Sequence, residues 1–366
     1  MELALLFGLV IGLMLAGVPI AVSLGFSSIA FLLVFSDSSL AGIAQTLFEA
    51  FEGHSTLLAI PFFILASSFM STGGVAKRII RFSIALVGHF RGGLAIAGVL
   101  ACMIFAALSG SSPATVVAIG SIVIAAMRQV GYTKEFAAGV IANAGTLGIL
   151  IPPSIVMVVY AAAVEVSVGR MFLAGVIPGI MAGTMLMIGI YVMARIKNMP
   201  AGEWAGWREV ASSFKEAIWG LMLIVIIMVG IYGVPGLTSA IFTPTEAAAV
   251  ASVYAFIVAS FVYRDMGPLA AREDGSGTHT ERSNLLRKPT ALFTAIWHED
   301  TRRTLFEAGK LIITLMFVIA NALILKHVIT DEQLPQKITE AMLAFGFGPI
   351  MFLIVVNVIL LIGGQF

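Results

Sequence analysis

Charge is scarce in this chain. Asp, Glu, Lys and Arg make up 11% of its 366 residues and apolar types 59%, whereas a soluble globular domain carries about 25% charged residues. That scarcity excludes a large water-soluble domain and leaves an all-α integral membrane protein. An excess of either sign is missing as well: the formal net charge is +1, and Lys and Arg gather in loops instead of forming a stripe, so nothing favours a nucleic-acid partner. Cysteine is limited to Cys102, which excludes an intrachain disulfide and a thiolate metal cluster. His54, His89, His279, His298 and His327 fall in or near loops without ligand spacing. No His or Lys lies near the middle of an apolar run, so Ser111 after Gly110 has no general base within reach, and serine nucleophiles require one. The chain is therefore not an enzyme. Residues 2 to 17 have neither a charged leader nor a small-residue cleavage site and read as a spanning segment that is kept.

What is present is a series of apolar runs: 3–17, 18–35, 56–72, 92–126, 136–163, 171–194, 217–234, 245–263, 305–325 and 348–366. At about 20 apolar residues per crossing, 92–126 is too long for one pass, and Ser109 to Pro113 interrupt its centre. It is expected to be a re-entrant hairpin that leaves by the face it enters; the alternative is one long tilted helix. With Met1 outside and this hairpin in place, 18 of the 21 basic residues fall on the inner side, as basic residues of cytoplasmic loops do. A single full crossing at 92–126 would put Arg195 to Lys215 opposite Lys77 to Lys134.

Residues 92–112 and 346–366 share a form, with a glycine-rich start, an apolar stretch and a small-residue break. Their starts lie on opposite faces, the signature of an inverted repeat. Residues 1–197 form the expected first repeat, 198–215 a cytoplasmic linker, and 216–366 a second repeat that stops within its hairpin. Residues 265–303 form the one long polar connection, with Gly275 to Thr280 as a flexible tip. Leu285, Leu286, Leu292, Phe293, Ile296 and Trp297 suggest an interfacial helix there, or else a solvated linker. Residues 40–55 and 73–91 read as surface arms.

Two segments can carry chemistry. Unwound backbone at membrane depth is tolerated only where protein or a wet cavity satisfies it, so "LSGSSPAT" around Ser109 to Thr115 must be buried or line a pathway. Its carbonyls and hydroxyls suit a cation, and the half-helix that follows aims its N-terminal amides at an anion. Ser111 and Ser112 before Pro113 suit an N-cap. A tight turn packed by small side chains is the alternative. The second segment is "NAGTLGILIPPSIVMVVY", residues 143–160. Pro152 and Pro153 each remove a donor and clash with the preceding turn, while Gly145 and Gly148 are expected to loosen it. Asn143, Thr146 and Ser154 add side-chain oxygens beside freed carbonyls from Gly145 to Ile151. Oxygen ligation without a carboxylate suits Na⁺ better than Zn²⁺. Glu246 in "TPTEAAA" fits a capping box with Thr243.

"GGLAIAGVLACMIFAALSGSSPATVVAIGSI", "AAGVIANAGTLGILIPPSIVMVVYA", "FLAGVIPGI" and "IFTPTEAAAVASVYAFIVASF" together resemble the large permease subunit of tripartite ATP-independent periplasmic (TRAP) transporters, in order over essentially the whole chain. The resemblance implies an elevator-type fold of two inverted repeats with re-entrant hairpins and broken helices, in the bacterial inner membrane with the N-terminus periplasmic. It implies a secondary active importer driven by Na⁺. A periplasmic substrate-binding protein would deliver an organic acid such as a C4-dicarboxylate or sialic acid, and a small membrane subunit would assist. By matching motif, Ser111, Ser112, Pro113, Thr115, Asn143, Pro153 and Ser154 would face the substrate, and Ser109, Gly110, Ser111, Gly145, Thr146 and Gly148 the Na⁺. The reading from another class is a passive channel or a structural scaffold subunit.

Overall fold

The structure is a computed structural model. It describes all residues except 1, 36–40, 43, 46–47, 49–51, 53–54, 73, 235, 272–282, 284, 286, 345, 347 and 365–366. The expected tip Gly275 to Thr280, Leu286 and much of the 40–55 arm lie outside the described residues. Each of the ten apolar runs is helical, and among the described residues there is no strand, only isolated bridges between Arg91 and Ala201 and between Val234 and Thr238. Five helical stretches among the described residues are long and apolar enough to cross a membrane, or up to seven if each bent pair counts as one span. The chain is thus an all-α membrane protein.

It divides into two compact units, residues 1–54 with 313–366 and residues 55–312. The smaller unit contains α1 (Glu2–Leu15), α2 (Ile20–Phe35), α15 (Leu334–Ala344) and α16 (Pro349–Gly363), with residues 313–331 of α14 (Glu299–Asp331). Leu6, Phe31, Leu32, Ile324 and Val328 form its core. Gly25 on α2 lies where any Cβ would overlap the Asn321 amide, so α2 and α14 meet closely.

The larger unit runs from α3 (Ala59–Thr72) through α4 (Val75–Val87), α5 (Gly93–Ser109), α6 (Ser112–Gln129), α7 (Lys134–Gly145), α8 (Leu147–Leu150), α9 (Ile155–Ala163), α10 (Val168–Ile196), α11 (Trp207–Tyr232), α12 (Pro244–Ile257) and α13 (Ala291–Trp297). At its centre is α5. Phe105, Cys102 and Val99 are wholly buried there, and the Gly and Ala residues of α5 let neighbouring helices approach closely, as small residues do in membranes. Residues 92–126 do not form one tilted helix. They form two arms of 17 and 18 residues, each about 26 Å long at 1.5 Å per residue, and such a hairpin returns the chain to the face it left.

Side chains join all three basic segments assigned to the inner side. Arg81 on α4 reaches Glu209 at 2.8 Å and Glu216 at 2.6 Å, Arg91 reaches Asn198 at 3.1 Å, and Arg78 reaches Asp265 at 2.5 Å. Residues 74–91, 195–215 and the start of 264–303 therefore share one end of this unit. At the other end Tyr232 donates to the Gly169 carbonyl at 2.6 Å. Glu246 and Thr243 make the expected capping box, the Thr243 amide donating to Glu246 at 2.8 Å and the Glu246 amide to Thr243 at 3.3 Å. On α13 the small residues Ala291 and Ala295 are buried, while Leu292, Phe293, Ile296 and Trp297 face outward. This inversion of ordinary amphipathic packing suits a helix lying in a membrane interface.

Candidate functional site

Helix α5 ends because Gly110 turns left-handed, with φ 59°, and donates its N–H to the Ala106 carbonyl at 2.8 Å. A left-handed glycine is the ordinary way to close a helix. Ser111 is then extended, with φ −136°, and α6 starts with Pro113 in its first turn. Ser111 occupies the N-cap position but makes no side-chain cap bond. Its carbonyl accepts from the Thr115 hydroxyl at 2.9 Å and from the Ser109 hydroxyl at 3.2 Å. The Ser109 and Thr115 hydroxyls lie 2.9 Å apart, and the Ser111 N–H donates to Ser109 Oγ at 3.3 Å. Three hydroxyl-bearing residues thus hold the turn, with Ser109 and Thr115 buried.

The second break also forms, later in the chain than expected. Gly145, Thr146 and Gly148 keep helical geometry: Thr146 has φ −63°, its carbonyl accepts from Ile149, and that of Leu147 accepts from Ile151 at 2.9 Å. The carbonyls of Thr146 and Leu147 are therefore not freed by unwinding, whereas those of Gly148 and Ile149 lose their helical donors to Pro152 and Pro153, which carry no N–H; the irregular stretch is Ile151 to Ser154, where the segment bends by 44°. The physical reason is plain. A glycine within a helix costs only about 1 kcal/mol and keeps its N–H, whereas proline has no N–H and clashes with the turn before it. Ser154 caps the new start, accepting from the Met157 N–H at 3.5 Å.

The two breaks meet. The Ile155 N–H donates to the Gly110 carbonyl at 3.2 Å, so the hairpin tip caps the half-helix α9. A Cβ on Gly110 would come within 2.7 Å of the Pro153 carbonyl oxygen. One on Gly148 would press on the backbone of Ser111 and Ser112 at 3.0 to 3.2 Å, and one on Gly145 would overlap Val116. The glycines are there to admit the tip, not to unwind the helix. Beside them the Ser112 hydroxyl oxygen is buried and has no hydrogen-bond partner, an arrangement that costs about 1–3 kcal/mol when nothing compensates it.

Of the residues singled out, Ser109, Gly110, Ser111, Ser112, Thr115, Gly145, Gly148, Pro153 and Ser154 lie at or beside this junction. Pro113, Asn143 and Thr146 are exposed. Asn143 donates to the Gly139 carbonyl at 2.8 Å and Thr146 to that of Asn143 at 2.7 Å, so both are satisfied by their own helix. Of the two half-helix starts, that of α9 has its Ile155 amide taken by Gly110 and its Met157 amide by Ser154. The start of α6 retains the unpartnered Ser112 hydroxyl.

A further set of residues, not singled out from the sequence, supports the junction. Gly175, Gly179 and Gly183 on α10 present one face, with Met157, Ile151 and Met103 against them. The spacing of four puts them in one row, and that spacing was legible in "GVIPGIMAG". The row lets α10 back the broken segment closely enough to fix the position of Ile151.

Comparison with known proteins agrees with this architecture. The family described as "Tripartite ATP-independent periplasmic transporter, DctM component" matches residues 7–366. The chain is 68% identical over 366 residues to the C4-dicarboxylate TRAP transporter large permease protein DctM of Vibrio cholerae, covering 100% of this chain and 77% of that protein. It is 54% identical over 344 residues to the protein of the same description from Pseudomonas aeruginosa, with 94% and 72% covered. Against that of Rhodobacter capsulatus the identity is 43% over 380 residues, with 100% and 78% covered. With its apolar helices, its hairpin and its broken segment, the chain belongs to the DctM family of TRAP transporter large permeases, multi-pass transport proteins of the bacterial inner membrane.

Proposed function

We propose that this chain is the permease subunit of a Na⁺-coupled secondary active importer of an organic acid. The names of the three relatives favour a C4-dicarboxylate. A periplasmic binding protein would deliver the acid and a small membrane subunit would assist, with the N-terminus of the chain on the periplasmic side. The observation that carries the reading is the seating of the Gly110 tip on Ile155, with the Ser112 hydroxyl buried and unpartnered beside it.

In this reading Na⁺ is held among the oxygens of Ser109, Ser111 and Thr115, and the carboxylate of the substrate meets Ser112 and the N-terminal turn of α6. Gly145 and Gly148 serve by leaving room for the tip, while Asn143, Thr146 and Pro113 bound the outer rim. The bound cation offsets the charge of the carboxylate, so each stabilises the other in a site of low dielectric. The bond between Gly110 and Ile155 ties hairpin and broken helix into one body, as an elevator movement of a transport domain within an inverted-repeat fold requires.

The test is uptake in proteoliposomes containing the permease with its partners. The expected result is saturable uptake that follows an imposed Na⁺ gradient, together with substrate counterflow. Non-saturable uptake that persists without the gradient would instead make the chain a channel. Normal uptake by vesicles lacking it would make it a scaffold.

A further inference from the structure

We propose that the junction between residues 89–91 and 191–208 binds the headgroup of an anionic phospholipid. Two connecting segments are joined there edge to edge. Arg91 pairs with Ala201 as an isolated bridge, the Gly92 N–H donates to the Pro200 carbonyl at 3.1 Å, and Arg91 donates to Asn198 at 3.1 Å. A run of rings crosses the join: Tyr191 to Phe90 at 6.3 Å, Phe90 to His89 at 4.1 Å, His89 to Trp204 at 4.7 Å and Trp204 to Trp207 at 5.6 Å. These rings are not core residues, for Trp207 is 76% exposed, Trp204 44% and Phe90 43%.

The charge around the rings is unbalanced. Arg91 is held by the neutral amide of Asn198, and Arg195 by the neutral phenol of Tyr191 at 2.8 and 3.1 Å. Lys197 directly precedes Asn198 in the chain, and Arg208 directly follows Trp207. Glu209 and Glu216 are engaged by Arg81, and within residues 89–91 and 191–208 Glu203 is the one carboxylate set against four cations. Exposed indole and phenyl rings belong at the level of the headgroups, and cations near an anionic leaflet are attracted to its lipids. Planar guanidinium groups held by neutral neighbours keep their forks for a phosphodiester. A zwitterionic headgroup satisfies the rings equally well but not this surplus of positive charge. The inference is independent of whether transport is coupled to Na⁺.

The test uses the full chain in phosphatidylcholine nanodiscs. Trp219→Phe and Trp297→Phe leave Trp204 and Trp207 as the reporters. Tyr254 donates to the backbone carbonyl of Trp219, so that contact survives the first change. Quenching is compared for dibrominated phosphatidylglycerol and dibrominated phosphatidylcholine at equal mole fraction. Phosphatidylglycerol is expected to quench about threefold more effectively, with the preference falling as salt rises. Combined Arg91→Gln, Lys197→Gln and Arg208→Gln changes should remove the preference, and Arg208→Lys alone should keep it. Equal quenching by the two lipids in the protein with its cations intact would overturn the proposal, whatever the folding of the variants. Displacement of the lipid by millimolar inorganic phosphate would overturn it too, since the site would then take a soluble anion.

Discussion

Gly98 and Val123 face each other across the hairpin, equidistant in sequence from the Gly110–Ser111 break. A Cβ on Gly98 would lie 2.9 Å from Val123 Cγ1 and 3.3 Å from Ile141 Cδ1. Overpacking a filled interior costs about 1–3 kcal/mol, while Gly to Ala within a helix gains about 1 kcal/mol of propensity. Gly98→Leu should therefore lower thermal stability in detergent clearly, and Gly98→Ala should leave it nearly unchanged. A Gly98→Leu protein as stable as the parent would mean that the two arms do not pack here.

Much of this was legible because it follows from missing donors. Pro152 and Pro153 cannot continue a helix, and Ser109 to Pro113 cannot sit in the middle of a single span, so both breaks could be read from composition. Same-sidedness was legible too, because basic residues mark loops, and the contacts of Arg78, Arg81 and Arg91 bring those loops together. What could not be read was why glycine stands at 145 and 148. A sequence shows a glycine's freedom before it shows its neighbours, and here the neighbours decide: Val116 and the Ser111–Ser112 backbone fill the space a side chain would take. The bond from Ile155 to Gly110 joins two segments with no local pattern in common, so only the fold reveals it.

The junction makes a sharper prediction about transport. With Gly148→Ala the added methyl presses on the tip backbone at 3.0 Å. That contact obliges the tip to give by a few tenths of an ångström, and since a misplacement of about 1 Å in a binding constellation reduces turnover by about 100-fold, a fraction of that shift still registers. Na⁺-dependent uptake by Gly148→Ala, Gly145→Leu and Ser111→Leu should fall by at least about tenfold, with normal membrane levels. Thr146→Ala, which removes only a hydroxyl bonded to its own helix, should change uptake little. Parental uptake by Gly148→Ala would separate the tip from the transport site.

Orientation can be read by labelling. Cys102 is wholly buried, so the parent protein should not react with a membrane-impermeant maleimide. Leu237, 83% exposed, lies in the connection after Tyr232, and Lys197 lies at the basic end. In intact spheroplasts Leu237→Cys should react and Lys197→Cys should react only after permeabilisation. The reverse pattern would place the N-terminus in the cytoplasm.

Arg78 and Arg81 stand three residues apart on α4 and should nevertheless behave differently. Arg78 pairs with Asp265, their side chains being only 16% and 13% exposed, and it lies 3.9 Å over the ring of Tyr263. That phenol donates to the Glu216 carbonyl at 2.7 Å and accepts from the Gly220 N–H at 3.0 Å, so the ring beneath the guanidinium is itself anchored on α11. Removing one partner of a fully buried ion pair costs about 3–5 kcal/mol, and the slight exposure here brings the expectation down to about 2 kcal/mol. Arg81 faces two carboxylates, which hold its guanidinium further in the charged form, but all three groups are substantially exposed, and exposed pairs contribute little because water and salt screen them. Arg78→Gln and Asp265→Asn should each destabilise the detergent-solubilised protein, and their double-mutant cycle should give a coupling above about 0.5 kcal/mol. Arg81→Gln should shift stability by less than half as much, and its effect should vanish in high salt, because exposed charges are screened and partly buried ones are not. Equal and equally salt-sensitive losses for the two arginines would show that the Arg78–Asp265 pair is solvated like its neighbour.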